Sequence, residues 1–188
     1  MPEPTRILII EDRPADALLA QHTIRQALEA CQFQRVDTIH GVLAALEQSA
    51  PDLIISDFNL PQFDGLAVLA LVLERAPLTP VIIFTGAINE DTAVACMKAG
   101  ATDYVIKEHM WRLGPAVLQA LDQTKLRRER QQAEEALRES EERYRTIVET
   151  QTEFVLRQKP DGQLVFVNDA YCRYWGKTRE ELLDPAWD

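Results

Sequence analysis

Five polar side chains stand at the ends of short apolar runs and have types suited to handling a phosphoryl group. Glu11 and Asp12 follow the run ILII, Asp57 follows LIIS, and Thr85 and Lys107 close two later apolar segments. Carboxylates are preferred ligands of Mg²⁺. A hydroxyl can hydrogen-bond a phosphoryl oxygen, and an ammonium supplies a fixed positive charge. Together these residues would provide a metal site, a nucleophilic carboxylate and two groups that stabilise a transferring phosphoryl group.

The elements that must position these side chains are predicted by the apolar pattern. ILII, LIIS and VIIF are apolar without alternation and rich in β-branched residues, which is typical of strands buried on both faces of a parallel sheet. Five strands are predicted at residues 6–10, 34–39, 52–57, 80–86 and 103–107. Helical spacing between them predicts helices at residues 14–30, 41–48, 65–75 and 90–99. The alternation predicts an α/β fold with a doubly wound parallel sheet, whose ligand site lies beyond the carboxyl ends of the strands.

A proline and a glycine support the predicted start of the first helix and the predicted end of the fourth. Pro14 suits the first turn of a helix, where its missing N–H costs nothing. Gly100 is predicted to end the fourth helix as its left-handed cap.

The carboxylates should converge if the first and third strands are neighbours in the sheet. Glu11, Asp12 and Asp57 would then repel one another unless a cation binds them. Each acid alone could equally be a solvated residue after a strand. The additional hydroxyl and ammonium at the same edge favour a phosphoryl-transfer site.

A long helix is predicted after the last strand, over residues 116–148, with no internal proline or glycine. A heptad seam is clear only in its second half, where it contains Leu137, Tyr144 and Ile147. The seam predicts a homodimer, with a solvated single helix as the alternative. Farther on, the Asp161-Gly162 dipeptide between two alternating apolar runs predicts a β-hairpin followed by a helix.

Composition limits the partners and the compartment. The 30 acidic and 20 basic residues give a formal charge of -10, so direct binding of nucleic acid is not expected. The three cysteines are widely spaced, which indicates neither a disulfide framework nor a zinc site. No signal peptide or membrane-spanning run is present in this stretch, and we expect a cytoplasmic protein.

Four segments together resemble the receiver domains of response regulators in two-component signalling: ILIIEDRPAD, DLIISDFNLPQFDG, VIIFTG and ATDYVIK. The resemblance implies a flavodoxin-like five-stranded sheet of order 2-1-3-4-5. It implies that Asp57 accepts a phosphoryl group from a phosphohistidine on a sensor histidine kinase or phosphotransfer protein. Mg²⁺ would be bound by the carboxylates of Asp12 and Asp57, by the backbone carbonyl of Asn59, and by Glu11 mostly through water.

The resemblance also implies a switch. Lys107 would pair with Asp57 and then with the phosphoryl group, Thr85 would bond a phosphoryl oxygen, and Tyr104 would turn inward as Thr85 moves. The sequence departs from the family after the lysine, where Glu108 and His109 replace the usual proline. The loop into the last helix is therefore expected to differ.

The tail resembles the opening of a PAS sensory domain, with the DG turn, a VN-A segment and an EELL helix. It covers less than half of such an α+β domain. We therefore predict a receiver domain at residues 1–122, a coiled-coil-like linker helix at 123–146 and a PAS fragment at 147–188. Phosphorylation would change the receiver conformation and signal through the linker helix to the PAS or output region.

Two other functions compete with this interpretation. A phosphatase with an aspartyl nucleophile needs a second aspartate two residues later, where this chain has Asn59. A degenerate receiver acting only as a binding module should have lost one of its site residues, and all are present. The complete protein could continue into a histidine kinase or a nucleotide cyclase.

Overall fold

The computed structural model describes residues 4–48, 50–61, 63–86 and 90–184. The outer limits of the predicted domains, Met1 and Asp188, lie outside these residues. The chain divides into two compact units, Met1–Glu129 and Arg130–Asp188.

The first unit is built on a five-stranded parallel sheet. The five strands are β1 Thr5–Ile10, β2 Cys31–Val36, β3 Leu53–Ser56, β6 Val81–Thr85 and β7 Asp103–Ile106. Their order in the sheet is β2-β1-β3-β6-β7, which confirms the predicted order 2-1-3-4-5. A two-stranded antiparallel ribbon that the sequence did not predict follows β3 and consists of β4 Asn59–Leu60 and β5 Phe63–Asp64.

Helices cover both faces of this sheet, as the doubly wound fold requires. They are α1 Pro14–Ala27, α2 Ile39–Gln48, α3 Gly65–Arg75, α4 Glu90–Lys98 and the start of α5 Leu113–Thr150. On β1, Ile7 and Ile9 pack into a core with α1 and α5. Leu8 and Ile10 point the other way, into a core with α2, α3 and α4. The alternating sides of one continuous apolar strand therefore serve two separate cores.

The second predicted strand was misplaced by three residues. It was expected at 34–39, but β2 ends at Val36, and Ile39 begins α2. β2 is an edge strand in which three exposed polar residues, Gln32, Gln34 and Arg35, separate the half-buried ones, so it lacks the continuous apolar run of the central strands. The first helix was also predicted too long, because Leu28 already has an extended conformation.

Two glycines stand where another residue would be obstructed or strained. A Cβ at Gly65 would lie 2.8 Å from the Cα of Phe58, so glycine lets α3 begin against the segment that follows Asp57. Gly100 has φ of 105°, which confirms a positive-φ residue at the predicted end of the fourth helix.

The connection after the last strand differs from the prediction at Lys107. β7 ends at Ile106, and Lys107–Arg112 forms a 3-10 helix in which His109 departs from helical angles. The predicted start of the long helix at residue 116 was also late, since α5 begins at Leu113 and includes Gly114 and Pro115 in its first turn. A Cβ at Gly114 would lie 3.1 Å from that of Ala27, which is tighter than an ordinary van der Waals contact, so glycine suits this position.

The second unit contains the remainder of α5 and a small α+β segment. β8 Leu156–Gln158 and β9 Leu164–Val167 pair antiparallel around a turn in which Gly162 has φ of 90°, which confirms the predicted hairpin. α6 Asp169–Trp175 and α7 Arg179–Leu183 follow. Within the described ranges, no helix has both the length and the apolar character needed to cross a membrane.

Candidate functional site

The carboxyl ends of β1 and β3 bring three acidic side chains together. The two strands are direct neighbours, and the Asp57 backbone N–H donates to the carbonyl of Ile10 over 2.8 Å. One carboxylate oxygen from each of Glu11, Asp12 and Asp57 lies within 4.8 Å of the others. The convergence expected from parallel strands is therefore present in the structure.

Lys107 lies among these acids and is shared by three carboxylates. Its Nζ donates to Oε2 of Glu11 at 2.6 Å, Oδ2 of Asp57 at 2.7 Å and Oδ2 of Asp16 at 2.8 Å. Three acceptors match the three N–H bonds of an ammonium. Burial on its own would lower the pKa of Lys107, but the hydrogen bonds that its ammonium donates to these carboxylates outweigh burial and raise that pKa above the usual 10.5. The ammonium is therefore a permanent charge at neutral pH.

Glu11 is the most deeply buried acid of the cluster, with 2% of its surface exposed. This burial raises the pKa of the Glu11 carboxyl, against the opposing effect of hydrogen bonds from Lys107 and the Arg13 backbone N–H. Arg35 fixes the same loop from β2, because its guanidinium donates to the backbone carbonyl of Glu11 at 2.8 Å. The buried acid is thus held at both its side chain and its backbone.

Asn59 and Thr85 complete the surroundings of Asp57. The backbone N–H of Asn59 donates to Asp57 Oδ1 at 3.0 Å, and the Asn59 side-chain amide lies 3.4 Å from Thr85 Oγ1. Thr85 is fully buried at the end of β6. Tyr104 is half-buried on β7 against the α2, α3 and α4 core, and this burial raises the pKa of its hydroxyl.

Sequence reasoning missed two residues that contact the predicted ones. Asp16 lies in the first turn of α1 and binds Lys107, while Arg35 holds the loop of Glu11 and Asp12. The location of Asp16 could have been predicted, because the predicted first helix begins at Pro14, directly after β1. An acid in the first turn of that helix must lie near the carboxyl end of β1. The location of Arg35 near the carboxyl end of β2 could not have been predicted, because the predicted bounds of β2 were wrong.

The predicted seam residues belong to the second unit. Leu137, Tyr144 and Ile147 all lie on α5 with exposed side chains. Their proposed role is in chain association, and they take no part in the acidic cluster.

The donor atoms of the cluster fit a hard divalent cation. Carboxylate and carbonyl oxygens with room for water are the ligands that Mg²⁺ prefers. Glu11, Asp12 and Asp57 supply such oxygens within a few ångströms of one another.

Replacing Lys107 by methionine should destabilise the first unit. Lys107→Met leaves the buried Glu11 and Asp57 carboxylates without their cation, and we expect the free energy of unfolding to fall by about 2–3 kcal/mol at pH 7 without Mg²⁺. Because the folded pKa of Lys107 is raised, its stabilising contribution is fully present below pH 10.5 and is lost only as pH rises through the folded pKa. Urea denaturation at pH 7 and 9 should therefore give the same loss.

Lys125→Met is the matched control, since Lys125 is largely exposed and lies 4.0 Å from Glu129. It should change the free energy of unfolding by less than about 0.5 kcal/mol. Equal stabilities for the Lys107 and Lys125 variants would mean that the ammonium does not stabilise the acidic cluster.

Comparison with known proteins agrees with this geometry. Residues 7–117, more than half of the chain, match the family described as the response regulator receiver domain. Among relatives, the DNA-binding transcriptional regulator NtrC of Salmonella typhimurium is 46% identical over 66 residues, which are 35% of this chain and 14% of NtrC. The response regulator protein FleR of Pseudomonas aeruginosa is 35% identical over 102 residues, which are 54% of this chain and 21% of FleR.

Solved structures show the same fold. A signal receiver domain from Vibrio parahaemolyticus has a TM-score of 0.60 and 31% identity, with 66% of this chain and 95% of that chain covered. The Mn²⁺-bound form of the response regulator Rcp1 has a TM-score of 0.53 and 26% identity, with 60% and 91% covered. The matches to NtrC and FleR span less than a quarter of those proteins. This chain belongs to the response regulator receiver domain family of two-component signalling, through residues 7–117.

Proposed function

We propose that Asp57 accepts a phosphoryl group from a phosphohistidine of a sensor histidine kinase or phosphotransfer protein, in a reaction that requires Mg²⁺. The observation that carries this assignment is the set of contacts made by its carboxylate. Oδ2 binds the Lys107 ammonium, and Oδ1 accepts the Asn59 backbone N–H. Asp57 is also a member of the carboxylate cluster. It therefore contacts the fixed positive charge and also supplies an oxygen to the cluster that would bind the metal.

The transfer needs little from the protein beyond position and charge. An Asp57 oxygen forms a bond to phosphorus while the P–N bond breaks, and the electron pair passes to the imidazole nitrogen of the donor. Charge on the phosphoryl oxygens is stabilised by groups fixed in advance. Lys107 supplies one such group, because it is charged at neutral pH and already 2.7 Å from Asp57.

The residues that would hold Mg²⁺ are Asp12 and Asp57 through carboxylates, and Asn59 through its backbone carbonyl. Glu11 would act mostly through water, as the resemblance to receiver domains implies; its oxygens accept hydrogen bonds from the Arg13 backbone and from Lys107. Bound Mg²⁺ would neutralise charge on the phosphoryl oxygens.

The conformational response would begin at Thr85. Its buried hydroxyl lies within reach of the Asn59 amide beside Asp57, so a phosphoryl group there offers it a new acceptor. Tyr104, half-buried on the neighbouring strand, would turn inward as Thr85 moves. We assign these two residues and Lys107 as the switch.

For the rest of the chain, we propose a linker helix at residues 123–146 and the first part of a PAS domain at 147–188. Support comes from the DG hairpin and from the helix that follows it, capped by Asn168. The signal would pass along α5, and the protein would act in the cytoplasm without binding nucleic acid directly. The net charge of -10 supports the last point.

The test is chemical phosphorylation of the whole chain. Acetyl phosphate with MgCl₂ should add one phosphoryl mass to the intact protein, and chelating Mg²⁺ should prevent the addition. Borohydride reduction of the acyl phosphate followed by peptide mass analysis should place the label at Asp57. A label on another residue, or no label, would contradict the proposal.

A further inference from the structure

We propose that Asp16 is a positioning residue that shares the Lys107 ammonium from the helix side, and so reduces the competition of this ammonium with Mg²⁺ for the oxygens of Glu11 and Asp57. This inference rests on the proposed function, because it concerns the same metal and the same phosphoacceptor.

The contact is specific and largely shielded. Asp16 Oδ2 lies 2.8 Å from Lys107 Nζ, and its side chain is only 18% exposed. Asp16 belongs to α1, whereas Glu11 and Asp57 follow β1 and β3. Lys107 therefore has one partner that does not follow a strand.

Asp16 has a second, exposed partner in Arg13. The guanidinium of Arg13 lies 3.3 Å from the same Oδ2 atom, and its own side chain is 71% exposed. An exposed pair of this kind contributes little energy. The shielded contact to Lys107 is therefore the one that gives Asp16 its effect on the site.

The three carboxylates on Lys107 differ in what else they can bind. Glu11 and Asp57 belong to the cluster whose oxygens lie within 4.8 Å of one another, together with Asp12, and Asp16 lies outside that cluster. An arriving divalent cation attracts the oxygens of Glu11 and Asp57 and repels the ammonium. Asp16 gives Lys107 a partner that the metal does not compete for.

Removing the charge of Asp16 should weaken Mg²⁺ binding for two reasons that act in the same direction. The asparagine oxygen holds the Lys107 ammonium less strongly than a carboxylate does, so the ammonium binds Glu11 and Asp57 more tightly and competes more strongly with the metal for their oxygens. One negative charge near the site is also lost. We expect Asp16→Asn to raise the dissociation constant for Mg²⁺ roughly fivefold.

The experiment is a titration of the ¹⁵N-labelled chain with MgCl₂, followed by NMR through the amides around the site, including that of Asn59. Asp16→Glu restores the negative charge one methylene farther from the backbone. Its dissociation constant for Mg²⁺ should stay within about twofold of the wild-type value. Asp37→Asn makes the same chemical change as Asp16→Asn at an exposed residue paired with Arg35, and it should also stay within about twofold. If Asp16→Glu restores Mg²⁺ affinity, the effect of Asp16→Asn comes from the lost charge and not from a change in the structure of α1.

Three results would overturn the inference. Asp16→Asn could bind Mg²⁺ as tightly as wild type, Asp37→Asn could weaken it equally, or Asp16→Glu could bind as weakly as Asp16→Asn. The acetyl phosphate reaction on the wild-type chain tests the proposed function separately. If Asp57 takes no phosphoryl group, that function fails, while the Mg²⁺ titration still decides whether Asp16 controls the metal site.

Discussion

Asp57→Asn is expected to abolish phosphorylation by acetyl phosphate. An amide oxygen is a poor nucleophile, and the substitution also removes a negative charge from the carboxylate cluster that would bind Mg²⁺. The fold should remain, because asparagine has nearly the same shape and its oxygen can still accept from Lys107 or from the Asn59 backbone N–H. The intact mass after incubation should therefore stay that of the unmodified chain, a loss of at least about a hundredfold in yield.

Asp37→Asn is the matched control for this loss. Asp37 follows β2, carries a 47% exposed side chain and pairs with Arg35. The control should gain one phosphoryl mass at the wild-type rate. If Asp57→Asn gained as much as the control, the phosphoacceptor would be another residue.

The site could be predicted from the sequence because parallel strands place their carboxyl ends at one edge. Glu11, Asp12 and Asp57 needed only the identification of β1 and β3 as buried strands and the assumption that they are neighbours. Small errors in strand length did not matter. Lys107 proved to begin a 3-10 helix instead of ending a strand, yet it still reaches the acids.

The Asp16 contact could not be predicted in the same way. Asp16 and Lys107 are 91 positions apart in sequence, and their meeting depends on how α1 packs against the sheet. Ala17, Ala20 and Ile24 determine that packing through the core they share with α5. Helical periodicity identifies the buried face of α1. The position of the Asp16 carboxylate relative to Lys107 depends on tertiary packing, which periodicity does not determine.

Asn168 illustrates the same limit in the second unit. Its side chain is fully buried and satisfies four groups: the amide donates to the carbonyls of Val148 and Glu153, and the oxygen accepts from the backbone N–H groups of Val155 and Tyr171. The sequence predicted the hairpin before it and the helix after it. The sequence could not show that the Asn168 side chain would join the end of α5, the hairpin and α6. All four of its partners are backbone groups, which every residue carries, so no residue type identifies them.

Exposed apolar side chains on the second half of α5 support the proposed homodimer. Leu137, Tyr144 and Ile147 are 61%, 68% and 48% exposed, and their spacing of seven and three residues places them on one side of the helix. Charged residues nearby already pair within the helix, as Arg138 does with Glu135 and Glu142. The apolar stripe is therefore the part of this surface that gains most from a second copy.

The whole chain should therefore scatter light as a dimer with twice the 21.4 kDa mass of one chain. Leu137→Glu places two like charges in the seam and should raise the dimer dissociation constant at least about a hundredfold, so that the variant scatters as a single chain at micromolar concentration. Gln132→Glu adds the same charge at an exposed position outside the seam and should remain dimeric. A single-chain mass for the wild type, or a dimer that survives Leu137→Glu, would rule out association through this stripe.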